Sequence, residues 1–480
     1  MKRDAGYDGD MASKNDHPIC DPNRWGIPLE AIELLPDALQ TFWQRYHHHF
    51  RSRTRSVAQH GYAYWTALLR MKVGRYFAKI AEETGLSVDR IQHFVSNSPW
   101  SSHPIYGQIQ REITETPSLG GGALLIDDSA DAKSGSHSAG AQRQYNGRLG
   151  KIDLCQVSVF LVYAKGHTWT WVDAELFVPE AWFSPEMAVQ RQRVGIPPDR
   201  TFQTKVDLAR QMVARARKNG LPFQFVACDE AYGRSDEFRS WMNREGICYL
   251  ADVPCNTRVF LTEPPAPAWT VEQVAADPQT VWTTLQVRPT ERGMLVAEYA
   301  ARRVWTLRDG CPTPEWLLVR RDADGEIRYS LSNASAETPL IRLAEMEASR
   351  YFAERAIQDA KSELGWDEFR AIKYRAWEHQ AVLTALASWF LAQVRLEWAQ
   401  RYRRDEHLAQ ELGVEVLPEL SVANVREMLR AVLPLSQLTT EQAQKLVVKH
   451  LLNRTRSRRS RLKKSNLFHS RDPTNITFYN

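Results

Sequence analysis

Short apolar runs alternate with helical patterns in the middle of the chain, from about residue 120 to 255. The strand-like runs are rich in β-branched and aromatic residues, and in the helix-like runs apolar residues recur every three to four positions. The order is β-β-β-α-β-α-β, which predicts an α/β sheet. The predicted strands are Ala123–Ile126, Asp153–Ala164, His167–Leu176, Phe223–Cys228 and Ile247–Val253, and the helices are 203–218 and Ser235–Arg244.

A different pattern follows between residues 255 and 335. It begins with Pro264, Pro265 and Pro267 and continues with strand-like runs. Asp324-Gly325 between two of these runs predicts a hairpin turn. We interpret the region as a β-rich insertion that interrupts the α/β unit.

Helical patterns precede and follow the strand-rich region. Long helices are predicted at 340–361 and 376–402, and another begins at residue 440. The predicted organisation is a flexible tail (1–30), a helical domain (31–118), a core in two parts (119–254 and 336–400), the β-rich insertion (255–335), and a helical C-terminal region with a basic tail (401–480).

Residues 80–95 have the spacing of a helix-turn-helix. Ala81 would allow the two helices to approach, Gly85 would form the turn and Ile91 would close the core between them. Ser87 is a candidate N-cap for the second helix. That helix, which includes Arg90, would bind DNA. The alternative is an ordinary helical hairpin.

Charge and composition narrow the possible partners. The chain has 480 residues, 43% of them hydrophobic, which is enough for several domains with a large core. Lys and Arg number 62 against 57 Asp and Glu, so the net charge is only +5. The excess is local, because the segment from Lys449 to Lys464, which includes Arg458 and Arg459, has eight basic residues and no acid. This segment predicts a polyanion as partner.

Several classes of protein are excluded. The longest uncharged apolar run, Ala381–Ala392, is twelve residues, whereas a membrane span needs about 20. The first residues contain no apolar segment, so no secretory signal is expected. The six cysteines form no CxxC pair, which argues against a disulfide framework or a zinc finger. No GxxxxGK[ST] motif occurs, which argues against a P-loop ATPase. A cytoplasmic protein is expected.

Three acidic residues stand out by position. Asp127 follows the first predicted strand, Asp229 follows the fourth, and Glu354 lies on the helix after the insertion. Carboxylates from two strand ends and a facing helix can converge on Mg²⁺, which prefers oxygen ligands. Two such ions about 4 Å apart can activate the attacking oxygen and stabilise the leaving oxygen in phosphodiester chemistry.

Two cations accompany the third acid at helical spacing. Arg350, Glu354 and Lys361 are four and seven residues apart, so they share one helix face. A carboxylate between two cations suits a site that binds metal and backbone phosphate together. A salt-bridged surface helix is the commoner origin of this pattern and remains the alternative.

Three blocks of sequence stand out in order along the chain: Ile126–Val157, Val226–Arg234 and Ala348–Phe390. Together they resemble the bacterial insertion-sequence DDE transposases of the IS701 and IS4-like groups. The resemblance implies an RNase H-like core with a β-rich insertion, flanked by helical DNA-binding regions. It also implies that Asp127, Asp229 and Glu354 are the catalytic metal ligands.

The last block also resembles the Tyr-x₂-Arg-x₃-Glu-x₆-Lys signature of the broader group, with Glu347 at the tyrosine position. Asp128 is the main alternative to Asp127 as the first acid. Asp359 and Glu363 are the alternatives to Glu354.

The implied function is that of a DNA transposase, which cleaves DNA at transposon ends and transfers the strands into target DNA by cut-and-paste. The three acids would bind two Mg²⁺ ions, for which Mn²⁺ could substitute. Arg350, Lys361, Lys133 and Lys151 would bind the DNA backbone.

The implied partners are the double-stranded DNA of the terminal inverted repeats and of the target, bound by a homodimer in the cytoplasm at the bacterial nucleoid, with no membrane. Two alternatives remain. One is a transposase-derived DNA-binding protein without catalysis, and the other is an RNase H-fold nuclease that cuts without joining.

Overall fold

A twelve-stranded mixed sheet organises the fold of the computed structural model, which describes residues 21–52, 54–147, 149–290, 293–413, 417 and 419–433. Arg458, Arg459 and the helix predicted from residue 440 lie outside the described residues. A separate small hairpin pairs β1 (Arg51–Ser52) with β2 (Arg55–Ser56). The strands of the large sheet are β3 (Gly122–Ala132), β4 (Gln142–Asn146), β5 (Lys151–Lys165), β6 (Thr168–Phe177), β7 (Phe223–Cys228), β8 (Tyr249–Asp252), β9 (Arg258–Phe260), β10 (Ala268–Thr270), β11 (Thr283–Thr290), β12 (Gly293–Arg308), β13 (Cys311–Arg321) and β14 (Ile327–Ser332).

Helices precede the sheet, connect its strands and follow it. They are α1 (Leu29–Glu33), α2 (Leu35–Tyr46), α3 (Ala58–Arg70), α4 (Phe77–Thr84), α5 (Val88–Ser96), α6 (His103–Thr114), α7 (Ala188–Val194), α8 (Lys205–Lys218), α9 (Glu230–Gly233), α10 (Asp236–Arg244), α11 (Val271–Ala276), α12 (Leu340–Ala348), α13 (Tyr351–Ser362), α14 (Tyr374–Arg401), α15 (Leu408–Glu411) and α16 (Val422–Val432).

The centre of the sheet is β3. It pairs antiparallel with β5, which pairs antiparallel with β6, and it pairs parallel with β7, which pairs parallel with β8. The predicted strand Phe223–Cys228 is confirmed to the residue as β7. The predicted end of the first strand is wrong, because β3 continues through Asp127 to Ala132. Its pairing with the long strand β5 holds these polar residues in the sheet.

The β-rich region continues the same sheet. Strand β14 pairs antiparallel with β8, and β13, β12 and β9 follow in order. The turn predicted at Asp324-Gly325 joins β13 to β14, with Gly325 at φ +88°. A small hydrophobic cluster, which includes Val259, Val304 and Leu331, packs against this part of the sheet.

Two helices cover opposite faces of the sheet near β3. Lys205 at the start of α8 contacts Asp128, whereas Lys361 on α13 contacts Ser129 and Asp131. Because successive side chains of a strand point to opposite faces, the even-numbered positions of β3 face α8 and the odd-numbered positions face α13. This alternation decides which acids face α13.

The helix predicted at 340–361 is two helices in the structure, which corrects the prediction. The break falls at Ser349 and Arg350, where Phe352 N bonds Ser349 O and Ala353 N bonds Arg350 O across three residues instead of four. The Ser349 hydroxyl also donates to Met346 O at 2.7 Å, and such side-chain bonds to the preceding turn favour helix bends. The predicted helix 376–402 is confirmed as α14.

The helices predicted at 80–95 are confirmed as α4 and α5. Gly85 between them has φ +68°, and the Ser87 side chain accepts a hydrogen bond from Arg90 N as an N-cap. Ala81 and Ile91 are buried, while Arg90 is exposed. Among the described residues no helix has both the length and the apolar character needed to cross a membrane.

Candidate active site

The strand register places three aspartates side by side. Ile126 in β3 pairs with Cys228 in β7, and Cys228 pairs with Ala251 in β8. The next residue of each strand is Asp127, Asp229 or Asp252. Because the three strands are parallel, these carboxylates lie at the same level of the sheet, at the carboxyl ends of β7 and β8. The carboxyl ends of parallel strands are where open α/β sheets usually bind ligands.

The local structure around Asp229 fixes its direction. Strand β7 ends at Cys228, and Asp229 becomes the N-cap of the short helix α9. Its Oδ1 accepts hydrogen bonds from Ala231 N at 3.0 Å and Tyr232 N at 3.4 Å. These bonds satisfy helix N–H groups that would otherwise lack acceptors, and they hold the carboxylate at the edge of the sheet.

The faces of β3 distinguish Asp127 from its alternative, Asp128. Asp128 faces α8, where its Oδ2 lies 2.7 Å from Lys205 Nζ. Asp127 lies on the opposite face with Ser129 and Asp131, towards α13. The residue that shares a face with the helix of the third acid is therefore Asp127.

Negative charge is crowded around Asp127. Burial raises the pKa of its carboxyl, the charges of Asp229 and Asp128 raise it further, and Glu354 adds a smaller effect in the same direction, to a pKa of about 8. Burial also raises the pKa of Asp229, and the guanidinium of Arg350 opposes that rise. These carboxylates are therefore close enough to repel one another, and a bound cation would relieve the repulsion.

Glu354 is exposed on α13, and its charge acts on Asp127. The alternatives to it have other contacts. Asp359 is buried, with Oδ1 3.1 Å from Arg355 Nε and Oδ2 3.0 Å from Trp169 Nε1, and Glu363 pairs with Arg426 at 2.6 Å.

Arg350 pairs with a residue that the sequence analysis missed. Its guanidinium forms an ion pair with Asp252, and Asp252 also accepts a hydrogen bond from Ser330 Oγ at 2.7 Å. Burial raises the pKa of Asp252, and Arg350 opposes that rise. The signal was present in the sequence, because Asp252 ends an apolar strand as Asp127 and Asp229 were expected to do. It was hidden because the predicted strand continued to Val253.

The donor atoms fit a divalent cation at the two aspartates. Within the part of the chain that the structure describes, no three His, Cys, Asp or Glu side chains are grouped closely enough to hold a metal ion together. Mg²⁺ needs only one or two protein carboxylates, because it keeps waters and takes phosphate oxygens. Asp127 and Asp229 supply that number from adjacent strands, with Glu354 on the helix that faces them.

The other residues predicted to bind DNA lie in different surroundings. Lys361 Nζ is 2.6 Å from Ser129 Oγ and 3.2 Å from Asp131 Oδ1, so its charge is balanced by an acid. Lys133 Nζ lies 3.5 Å from Phe369 O, and burial lowers its pKa. Lys151 is exposed at the start of β5.

Glu347 occupies the position of the signature tyrosine and serves the interior of the fold. It is buried, its Oε2 pairs with Arg320 Nη1 at 3.0 Å, and it accepts a hydrogen bond from the Tyr299 hydroxyl at 3.4 Å. These contacts tie α12 to β12 and β13.

Comparison with known proteins agrees with the resemblance drawn from the sequence blocks. A family model described as DDE superfamily endonuclease matches residues 45–311, which include Asp127 and Asp229. A protein from Microchaete diplosiphon, described as a probable transposase for insertion sequence element IS701, is 25% identical over 309 residues, which are 62% of this chain and 72% of that protein. Because the family model matches more than half of the chain, the chain belongs to the DDE superfamily endonuclease family.

Proposed function

We propose that the chain is the transposase of an insertion sequence, which cleaves DNA at the ends of the element and joins those ends to target DNA by cut-and-paste. The observation that carries the proposal is that Asp127 in β3 and Asp229 at the end of the adjacent parallel strand β7 lie together, with the charge of Glu354 on α13 acting on Asp127. Membership in the DDE superfamily and the similarity to a transposase support it.

The strand arrangement supports an RNase H-like core. The order β6-β5-β3-β7-β8, with three antiparallel strands followed by two parallel ones, is continuous in the sheet. We propose that this core comprises residues 119–254 and 336–400, with residues 255–335 inserted between Asp229 and Glu354. Residues 31–118 and 401–480 would bind DNA.

The three acids would together bind the divalent cations that position the reacting groups. Two divalent cations, Mg²⁺ by preference, would activate the attacking oxygen and stabilise the leaving oxygen when bound. Asp127 and Asp229 supply carboxylate oxygens from the sheet, and Glu354 supplies one from the side open to solvent. The same residues would act first on water at the element end and then on the freed 3′-hydroxyl at the target.

Arg350 and Lys361 form ion pairs that position the elements of the site, in addition to any contact with phosphate. Arg350 lies against Asp252, next to Asp229, where its charge would also attract the phosphate of bound DNA. Lys361 joins α13 to β3 through Asp131. This contact fixes the helix two turns beyond Glu354 and so limits where that carboxylate can lie.

The experiment is cleavage of a supercoiled plasmid that carries both ends of the element, with wild type beside Asp229→Asn. We expect Mg²⁺-dependent cleavage at the ends and joined products for wild type, and neither for the variant. Asp199→Asn is the matched control, because Asp199 is an exposed aspartate outside the proposed site, and it should behave as wild type.

The other outcomes identify other functions. Cleavage without joined products would indicate a nuclease that cuts only. Binding of the ends by a folded wild-type protein without any cleavage would indicate a DNA-binding protein that has lost catalysis. Sedimentation of the DNA complex would test for the homodimer that pairing of two ends requires.

A further inference from the structure

A β-hairpin extends beyond the edge of the sheet that carries the acids. Strand β5 runs antiparallel to β3, so its first residues lie beyond Ala132, the carboxyl end of β3, on the carboxyl side of Asp127. Residues 151–153 pair only with β4, because β3 pairs with β5 from Cys155 onward and β6 pairs from Val157 onward. At about 3.3 Å per residue the two-stranded part extends the sheet by about 10 Å.

The register shows which residues share a face of this hairpin. In an antiparallel pair, residues directly opposite each other point to the same side. Tyr145 lies opposite Ile152, and Arg143 lies opposite Leu154. Because Ile152 and Leu154 are two residues apart in β5, all four side chains lie on one face.

The same face contains Asp127. Phe160 of β5 lies directly opposite Asp127 of β3. From Phe160 to Ile152 is an even number of residues, and neither strand pair has an irregularity in this stretch. Ile152, and with it Tyr145, therefore points to the side of the sheet that α13 and Glu354 occupy.

This hairpin face, formed by Arg143, Tyr145 and Ile152, is exposed and combines two apolar side chains with one cation. Tyr145 retains 64% of its accessible surface and Ile152 retains 61%. Such exposed apolar neighbours indicate a binding surface. No acidic residue occurs between Gln142 and Ile152, and Arg143 lies in the same face. An aromatic ring, an aliphatic side chain and a cation without an acid match the chemistry of DNA, where base faces and sugar carbons are apolar and phosphates are anionic.

Distance along the strand relates the hairpin face to the acids. The eight residues from Phe160 to Ile152 span about 26 Å. Duplex DNA rises about 3.4 Å per base pair, so about eight base pairs cover the same length. A duplex whose phosphate lies at Asp127 would reach the hairpin face after roughly that number of base pairs if it follows β5.

We propose that the hairpin face binds the duplex that flanks the cleaved phosphate, about eight base pairs from it. Arg143 contacts the backbone, and Tyr145 and Ile152 lie against sugars and base edges in the minor groove. The inference rests on the proposed function, because the register is counted from the acid that would cut DNA. Lys151, on the opposite face of the hairpin tip, is not part of the surface.

The first test is photo-crosslinking from position 145. The full-length protein carries Tyr145→p-benzoylphenylalanine together with Asp229→Asn, which leaves the DNA uncut. This protein is bound to a duplex with one element end, and the complex is irradiated. We expect crosslinks about six to ten base pairs from the cleavage position. The control is Leu34→p-benzoylphenylalanine, an exposed position between α1 and α2, which should give none there.

The outcomes separate this inference from the proposed function. Crosslinks from position 145 to a second copy of the chain, or none at all in a complex that forms, would overturn the hairpin face and leave the proposed function intact. Failure to form any complex with element ends would contradict the proposed function itself. Crosslinks at the expected position on DNA that wild type never cleaves would support the face and contradict catalysis.

The second test varies the length of the flanking duplex. We expect the Tyr145→Ser, Ile152→Ser double variant to bind about tenfold more weakly than wild type when the flank exceeds roughly ten base pairs. With flanks under about six base pairs the two should bind alike. Val189→Ser, at an exposed apolar residue of α7, is the control. Equal affinity of the double variant and wild type at every length would overturn the proposal.

Discussion

Arg350 lies between two carboxylates at the candidate site, and each gives it a different role. Its ion pair with Asp252 is largely buried, and its charge also opposes the rise in pKa that burial causes at Asp229. If Asp252 lost its charge, Arg350 would keep only the weaker electrostatic effects of the other groups around it, Asp229 first among them. Asp252 therefore positions Arg350, and through it affects the charge on a proposed metal ligand.

This role predicts the effect of Asp252→Asn. The amide keeps the size of the side chain and can still accept the Ser330 hydrogen bond, but a buried cation loses its partner, at a cost of about 3 kcal/mol in the free energy of unfolding. We expect a slower cleavage rate whose dependence on Mg²⁺ concentration is altered, with partial recovery in Asp252→Glu. An unchanged Mg²⁺ dependence would mean that Asp252 serves stability only.

Gly233 allows α9 to lie on the end of β8. A Cβ at this position would be 1.9 Å from Asp252 O, so any side chain would force the helix away. Because Asp229 caps the same helix, we expect Gly233→Ala to displace that carboxylate and abolish cleavage, while circular dichroism still shows a folded protein. Gly107→Ala on α6, where the added Cβ would meet only Arg111 Nη1 at 3.6 Å, should keep activity.

At the level of elements, α5 presents two different faces. Ile91, Phe94 and Val95 are buried in the shared core, whereas Arg90 and His93 point to solvent. This arrangement leaves the outer face of α5 available to DNA, as the helix-turn-helix hypothesis requires. An ordinary helical hairpin would have the same buried face, so binding measurements must decide between the two.

Arg90→Ala provides that measurement. The Ser87 cap uses the backbone N–H of residue 90, which alanine keeps, so stability should change little. If Arg90 contacts a phosphate, the slope of log affinity for element ends against log salt should fall in magnitude by about 1. Gln92→Ala, at an exposed neutral neighbour, controls for truncation. Equal slopes for Arg90→Ala and wild type would contradict phosphate contact by this helix.

At the scale of the whole molecule, α14 connects the parts of the chain that the structure describes up to Leu433, because it contacts the N-terminal helices, the sheet and α16. Glu378, near the start of α14, lies among charged side chains, which include Glu175 of β6 and Arg200. Burial and the charge of Glu175 raise the pKa of Glu378 to about 7, although Arg200 and Arg375 oppose the rise. Asp173 and Glu175 are held nearby by Arg215 at 2.8 Å each.

This carboxyl should make stability depend on pH. A glutamate with pKa of about 4.3 when unfolded and about 7 when folded holds its proton longer in the fold. Its contribution is therefore fully present below pH 4 and is lost as the pH rises through about 7, with an upper bound of about 4 kcal/mol.

We expect Glu378→Gln to raise the melting temperature at pH 8 and to change it little at pH 4, as measured by thermal unfolding. Glu237→Gln, at an exposed glutamate of α10, is the control and should show no such difference. Equal melting temperatures of Glu378→Gln and wild type at pH 8 would contradict this prediction. They would mean that the ionised carboxyl does not lower the free energy of unfolding.

The sequence determined the features that depend on local patterns. The apolar run of β7 followed by a capping aspartate, the turn and N-cap between α4 and α5, and the hairpin turn at Gly325 were all predictable, because each depends on residues within a few positions of one another. The candidate acids Asp127 and Asp229 were identified in the same way. The break between α12 and α13 was not, since their helical periodicity continues across it.

Only the tertiary structure decided how distant segments meet. It assigned Asp128 to Lys205 on one face of β3 and turned Asp127 towards α13 on the other, it brought Asp252 to Arg350 across 98 positions of sequence, and it joined the β-rich region to β8 through β14. The physical reason is that strand register and ion pairing are set by which surfaces become buried together. That burial depends on the whole chain, whereas turns and caps depend on a few adjacent residues.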